Sequence, residues 1–187
     1  MTDPVTSTSP TLHPNGEPRL ETALLAGGCF WGMQDLIRKI PGVVRTDVGY
    51  TGGPTPAAGY HEVKTGRTGH AEAVRVVFDP KQLSYAELLE KWFFRMHDPT
   101  TKSRQGNDVG TQYRSAIYFH SPEQEQTAHE LTKIYGDEIS RRGYGEITTE
   151  IGPAGSYHYA EAPHQQYLHK NPYGYRCHAN TGVPFPE

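Results

Sequence analysis

Cys29 is the side chain best placed for chemistry in this chain of 187 residues. It follows Gly27-Gly28, where a short apolar run changes to a helical pattern. A cysteine in the first turn of a helix faces unpaired backbone N–H groups and the positive end of the helix dipole. Both favour the thiolate, so the sequence predicts a lowered pKa and a nucleophilic sulfur. The alternative is a buried cysteine that packs as a small apolar side chain.

Several polar side chains could act on a group bound at this sulfur. Glu72, two residues after His70, opens an apolar strand pattern, and a carboxyl held in an apolar pocket keeps its proton to a higher pH and can donate it. Tyr60 could supply a phenolic donor, and the polar stretch 105–115 could hold an S=O or C=O oxygen. Alternatively, Glu72 is a solvated charge, Tyr60 anchors its loop, and the stretch is an ordinary turn.

The second of the two cysteines, Cys177, lies in a coil-like tail. Oxidation of Cys29 to a sulfenic acid would allow Cys177 to condense with it to a disulfide. The N-terminus lacks the basic start and apolar stretch of a secretory signal, so we expect a reducing, cytoplasmic setting in which a permanent bridge is not favoured. The histidines and cysteines match no paired-ligand spacing, and no metal or cofactor is expected.

Composition narrows the class of protein. The formal net charge of −3 gives no overall basic field for nucleic acid. No apolar run reaches about 18 residues, so no membrane-spanning helix is expected. The 20 glycines and 15 prolines indicate much ordered loop. We expect residues 1–20 to form a disordered lead, and residues 21–187 to form a single catalytic domain with an irregular C-terminal tail.

The hydrophobic pattern predicts the elements that position these side chains. Expected strands cover residues 22–26, 43–50, 71–78, 113–119 and 148–151. Expected helices cover residues 30–40, 85–96 and 122–141. The second begins with a Ser84/Glu87 capping box, and the third has Pro at its first position. Residues 51–69 and 99–110 are predicted as loops, and residues from 152 onward as mostly coil with a short helical turn near 164–169. This order predicts an α+β fold: a two-layer α/β sandwich whose mixed or antiparallel sheet carries packed helices and long coil segments.

The sequence resembles the peptide methionine sulfoxide reductase A family over about residues 22–175. Segments that carry the resemblance occur in family order: GCFWG at 28–32, GYTGG at 49–53, GHAEA at 69–73, RQGND at 104–108, GTQYRS at 110–115, HQQYL at 164–168 and NPYGY at 171–175. The resemblance implies the family's α/β sandwich with long coils. It also implies thiol-dependent reduction of the S epimer of methionine sulfoxide, in oxidised proteins or free, as a repair reaction after oxidative damage.

The same resemblance implies a role for individual residues. Cys29 would attack the sulfoxide sulfur, and Glu72 would protonate the leaving oxygen. Tyr60 and Tyr113 would hydrogen-bond that oxygen, while Asp108 positions the site. The substrate methyl group would be held by Phe30 and Trp31, and the sulfenic acid would be resolved by Cys177 and reduced by thioredoxin. Some family members carry two recycling cysteines in the tail, whereas this tail carries one, so we expect a single resolving cysteine.

Three other classes of protein stay open from the residues alone. A cysteine acyl-transfer enzyme would need a histidine base, for which His70 is the candidate. A redox sensor would form the Cys29–Cys177 disulfide and bind a partner without turnover. A peptide-binding module would use Phe30, Trp31 and the tyrosines without needing the thiol.

Overall fold

A computed structural model describes residues 16, 19–56, 59–176 and 178–187. Most of the predicted N-terminal lead lies outside these residues, as does Cys177. The strands are β1 (Glu21–Gly27), β2 (Val43–Thr51), β3 (Ala71–Phe78), β4 (Arg104–Gln105), β5 (Asp108–Val109), β6 (Ser115–Phe119), β7 (Glu150–Pro153) and β8 (Tyr157–Tyr159). The helices are α1 (Phe30–Ile37), α2 (Tyr60–Lys64), α3 (Tyr85–Glu87), α4 (Phe94–Met96), α5 (Pro122–Arg141) and α6 (Tyr167–Lys170). A π-helix (Leu88–Phe93) joins α3 to α4, and 3₁₀ turns cover Thr111–Tyr113 and Ala162–His164.

Six strands form one sheet in the order β7-β6-β1-β3-β2-β8. The β6–β7 pair is parallel and the other pairs are antiparallel, so the sheet is mixed. Strands β4 and β5 form a separate short hairpin. The predicted α+β class, with helices packed on a mixed sheet, is confirmed.

The core lies between one face of the sheet and the helices. Alternation along β1 sends Leu25 into the large cluster with α1, the π-helix and α5, and sends Leu24 to a small cluster on the opposite face. Met33 of α1 and Tyr135 of α5 are fully buried in the large cluster. Burial of apolar surface here fixes α1, and therefore the residue before it, against the end of the sheet.

Strand register brings the candidate residues to one end of this sheet. Leu25 pairs with Val74 in antiparallel β1 and β3, so the C-terminal end of β1 lies beside the N-terminal end of β3. Gly27 pairs with Ser115, which places the start of β6 at the same end. Cys29 follows β1, and Glu72 is the second residue of β3. Strand pairing alone therefore brings these residues, which are distant in sequence, to the same end of the sheet.

Two predicted loops contain short elements. The segment 51–69 includes α2, whose single turn is too short to show helical periodicity. The segment 99–110 includes the β4–β5 hairpin. Strand β6 begins at Ser115, so the prediction that it starts at residue 113 is wrong, because Tyr113 ends a 3₁₀ turn.

Three other boundaries differ from the prediction. Helix α1 ends at Ile37 rather than residue 40, because the chain tightens there and Ile40 N–H donates to the Ile37 carbonyl. The helical segment 85–96 is present, but its middle is π-helical. Strand β7 covers Glu150–Pro153, and the predicted coil after residue 152 contains β8, which pairs with β2. No helix in the described part of the chain is long and apolar enough to cross a bilayer.

Candidate active site

Cys29 occupies the N-cap of α1, as the sequence predicted. Gly28 turns the chain into it with a φ of +99°, and a Cβ there would meet the Gln105 side chain at 2.7 Å, so this turn requires glycine. The N–H groups of Trp31 and Gly32 face the sulfur and lower its pKa, although neither closes into a full cap hydrogen bond. The thiol itself is buried.

The predicted lowering of the Cys29 pKa is wrong. Burial of the thiol raises its pKa well above the ordinary value, and the nearby Glu72 and Asp108 carboxyl groups raise it further. The two N–H groups act in the opposite direction but are outweighed. Loss of water therefore dominates over the helix start, and the resting site holds a protonated thiol.

Glu72 is buried close enough to this thiol for its charge to raise the pKa of Cys29. Its Oε2 accepts a hydrogen bond of 3.0 Å from the N–H of Phe30, the residue after Cys29. Burial raises the pKa of Glu72 to about 8, with a smaller opposing effect of the Phe30 N–H. The carboxyl is therefore a neutral proton donor at pH 7, which rules out the solvated strand-end alternative.

Two phenols and a second carboxyl complete the polar side of the site. Tyr60 begins α2, Tyr113 ends the 3₁₀ turn before β6, and Asp108 lies in the β4–β5 hairpin. Burial raises the pKa of both tyrosines, and the charges of Glu72, Cys29 and Asp108 each contribute to both shifts. Because Coulomb energies fall with distance, these shared effects indicate that the five groups lie near one another. Asp108 also accepts a 3.0 Å hydrogen bond from the Tyr175 hydroxyl.

An aromatic wall forms the apolar side. Phe30 is buried against Tyr50, with ring centroids 5.6 Å apart. Trp31 is half-buried and stacks on Tyr167 at 3.9 Å. The open alternative of simple core packing fits Phe30 in part, whereas Trp31 is only half-buried.

His164 and Glu161 support the site and were missed from sequence. The indole N–H of Trp31 donates to His164 Nδ1 at 3.1 Å, and the His164 ring lies 4.4 Å from that of Tyr60. Glu161 accepts from the Tyr60 N–H at 2.9 Å and from the Tyr50 hydroxyl at 3.0 Å. Both lie more than 100 residues from their partners. The only available signal was the family-like segment at 164–168, which carries no chemistry by itself.

His70 is not placed as a base for Cys29. The Gly53 N–H donates to its Nδ1 at 3.0 Å, and its Nε2 contacts the Thr55 carbonyl. Both ring nitrogens are thus occupied by the backbone of the preceding loop, which removes the candidate base of the acyl-transfer alternative.

Cys177 lies outside the described residues, but its two chain neighbours contact α1. Arg176 donates to the Asp35 carboxylate at 3.1 Å. The His178 ring lies against Gly32 so closely that a Cβ on Gly32 would be 2.3 Å from its Nδ1. The tail on both sides of Cys177 therefore returns to the helix that Cys29 caps. Among the described residues, no three His, Cys, Asp or Glu side chains are grouped as a metal would need.

A desolvated thiol beside a neutral carboxyl, two phenols and an aromatic wall define a thiol enzyme site. Comparison with known proteins identifies its family. The family model described as peptide methionine sulfoxide reductase matches residues 21–184, and this chain belongs to that family. The resemblance noted from the sequence is thereby confirmed.

Individual relatives support the assignment over most of the chain. A peptide methionine sulfoxide reductase of Rhodospirillum centenum is 54% identical over 175 residues, which cover 94% of this chain and 80% of the relative. The structure of methionine sulfoxide reductase A of Corynebacterium diphtheriae is similar with a TM-score of 0.82 and 48% identity, covering 96% of this chain and 91% of that one. Mxr1 from Saccharomyces cerevisiae in complex with Trx2 is similar with a TM-score of 0.55 and 26% identity, covering 92% and 96%.

Proposed function

We propose that this protein reduces the S epimer of methionine sulfoxide, free or in oxidised proteins, to methionine. The observation that carries the proposal is the pairing of the Cys29 thiol with a protonated Glu72, which is hydrogen-bonded to the first residue of α1. A sulfoxide oxygen leaves readily only after protonation, so a nucleophile and an acid must meet at one S–O group. The family assignment supports the same reaction.

In this proposal the substrate lies between the polar and apolar sides of the site. Its methyl group contacts Phe30 and Trp31. Its oxygen accepts hydrogen bonds from Tyr60 and Tyr113, which stay protonated because burial raises the pKa of both. Asp108 positions the polar side. With the oxygen at the phenols, the methyl group at the aromatic wall and the sulfur facing Cys29, only one epimer fits, and these three constraints are the source of selectivity for the S form.

The first chemical step transfers the oxygen to Cys29. The Cys29 sulfur bonds to the sulfoxide sulfur while Glu72 gives its proton to the oxygen, and the thiol proton returns to Glu72. The hydroxyl group then passes to the Cys29 sulfur: an S–O bond forms there while the S–O bond of the substrate and the S–S bond between the two sulfurs break, which leaves Cys29 as a sulfenic acid. The substrate sulfur gains two electrons and becomes the methionine thioether, whereas the cysteine sulfur loses two.

Recycling consumes the sulfenic acid. The Cys177 thiol attacks the oxidised sulfur, an S–S bond forms, and the oxygen leaves as water with the proton of Cys177. A thioredoxin then reduces this redox-active disulfide by thiol–disulfide exchange. The similar yeast protein in complex with Trx2 supports this choice of reductant. The need for thiols to be regenerated suits a reducing compartment such as the cytoplasm.

Turnover measured separately on the two epimers tests the function. We expect the S epimer of a methionine sulfoxide peptide to be reduced with dithiothreitol and, catalytically, with a thioredoxin system. The R epimer should show no turnover above the Cys29→Ser control. Equal turnover of both epimers, or ester hydrolysis without sulfoxide reduction, would reject the proposal.

A further inference from the structure

A surface pocket of about 430 Å³ opens beside the C-terminal tail, and Cys29 is not among its lining residues. It lies between the end of α1, the π-helix with α4, and the residues after Cys177. Its walls include an apolar group and a polar rim: Leu36, Trp92, Arg95, Met96, His178 and Asn180. We refer to these six residues as the Trp92 pocket.

The Trp92 pocket brings two partly exposed large apolar side chains together at one surface opening. Leu36 is 39% exposed and Trp92 is 37% exposed, although the adjacent Phe93 and Phe94 are fully buried. Trp92 belongs to the π-helix, a rare element that is frequent at functional sites. Trp, Met and Arg are the residue types enriched at the centres of protein interfaces. The composition therefore favours a protein partner.

The position of the pocket indicates which partner. His178 lines it and directly follows Cys177 in the chain. Consecutive Cα atoms are 3.8 Å apart, so a protein that reaches the sulfur of residue 177 comes close to residue 178 and to the pocket that His178 lines. In the proposed function that protein is the thioredoxin. We propose that the Trp92 pocket is the docking surface for the reducing thioredoxin, a step that depends on the proposed function.

The docked thioredoxin supplies the two electrons that reduce the disulfide. A thioredoxin thiolate attacks the Cys177 sulfur of the disulfide, a mixed disulfide forms, and Cys29 leaves as a thiolate that takes up a proton. The second thioredoxin thiol then attacks the mixed disulfide and releases Cys177. The thioredoxin loses two electrons and ends as a disulfide. Contacts at the Trp92 pocket would hold the partner during both exchanges.

The charged residues on the rim of the pocket indicate which group the partner presents to it. Lys91 also lines the pocket, and its ammonium group is paired with the Glu87 carboxylate at 2.7 Å. Arg95 is exposed and forms no ion pair with another described residue. An unpaired guanidinium next to an apolar floor suits a partner that carries a carboxylate beside its own apolar surface. The pocket therefore contributes both apolar contact and charge steering.

Steady-state kinetics with two reductants test the proposal. We compare Leu36→Ala, Trp92→Ala and Arg95→Glu with the wild type, and use Ile134→Ala on α5 as a matched control because Ile134 is 38% exposed. Each pocket variant should raise the KM for thioredoxin by roughly tenfold, in the range expected for loss of an interface anchor. Turnover with dithiothreitol and the KM for the sulfoxide should stay at wild-type values. The Ile134 control should match the wild type with both reductants.

Three outcomes would overturn the docking surface. Pocket variants with an unchanged KM for thioredoxin would refute it alone, since the reductant would be confirmed but bound elsewhere. A parallel loss with thioredoxin and with dithiothreitol would show a structural role, and the melting temperature of each variant would report it independently. A wild-type protein that cycles with dithiothreitol but not with thioredoxin would refute the proposed reductant and this surface together.

Discussion

Replacement of Glu72 by Gln removes one buried titratable group and leaves an oxygen that can still accept from the Phe30 N–H. In the wild type, burial holds the pKa of Glu72 at about 8, against 4.5 for the free side chain. The folded protein therefore binds the Glu72 proton more tightly than the unfolded chain does. We predict that this substitution inactivates the protein and that the stability of the variant relative to the wild type rises with pH above about pH 5.

The sign and size follow from proton linkage. Between pH 4.5 and about 8 the folded state holds the proton and the unfolded state does not, so the free energy of unfolding falls as pH rises. Each pH unit in this window corresponds to about 1.4 kcal/mol. The wild type should lose about 3 kcal/mol of stability by pH 7 and about 4 kcal/mol by pH 8 through this one group. Any effect of burying an amide is independent of pH.

Urea unfolding followed by far-UV circular dichroism at pH 5, 6, 7 and 8 measures this difference. The free energy of unfolding of Glu72→Gln minus that of the wild type should rise steadily with pH. A Glu146→Gln control, which removes an exposed carboxyl, should stay parallel to the wild type. Parallel curves for Glu72→Gln would show that the Glu72 carboxyl ionises normally in the folded protein, and the reasoning about a neutral acid would be refuted.

Three further predictions concern the same end of the sheet. The first-turnover rate should fall as pH rises through about 8, because the pKa of Glu72 is raised and its acid form is lost there; a rate that holds or rises to pH 9 would contradict this. His164→Phe removes the acceptor of the Trp31 indole N–H, and the KM for the sulfoxide should rise roughly fivefold, equal to about 1 kcal/mol, with kcat changed less; an unchanged KM would remove its positioning role. Gly32→Ala places a Cβ 2.3 Å from His178 Nδ1 and should destabilise the fold by about 1–3 kcal/mol in urea unfolding; a more stable variant would mean that helix propensity outweighs the clash.

The sequence predicted best those elements whose signals are local. Strand β3 and helix α5 have the expected bounds, because Asp79-Pro80 ends one and a Ser121 cap with Pro122 begins the other. Strand β8 was missed because its pairing with β2 joins residues more than a hundred positions apart. Short elements such as α2 carry too few residues for a periodic pattern.

The residues of the site also divide into those with local sequence signals and those placed by distant contacts. The N-cap position of Cys29 could be inferred from Gly27-Gly28 and the helical pattern that follows. The direction of its pKa shift could not, because burial depends on packing by distant segments and outweighs the local helix start. The roles of His164 and Glu161 could not be predicted either, because they depend on contacts with Trp31 and Tyr60 that join distant parts of the chain.

A single-turnover experiment tests the central claim, attack by Cys29 on the sulfoxide sulfur with transfer of its oxygen. Reduced Cys177→Ser protein is mixed with one equivalent of the S epimer, and methionine and the intact protein mass are measured together. One methionine should form per protein, with the mass of one oxygen atom gained on the peptide that contains Cys29. Methionine formed without oxidation of that peptide, or formed equally well by Cys29→Ser, would contradict the account.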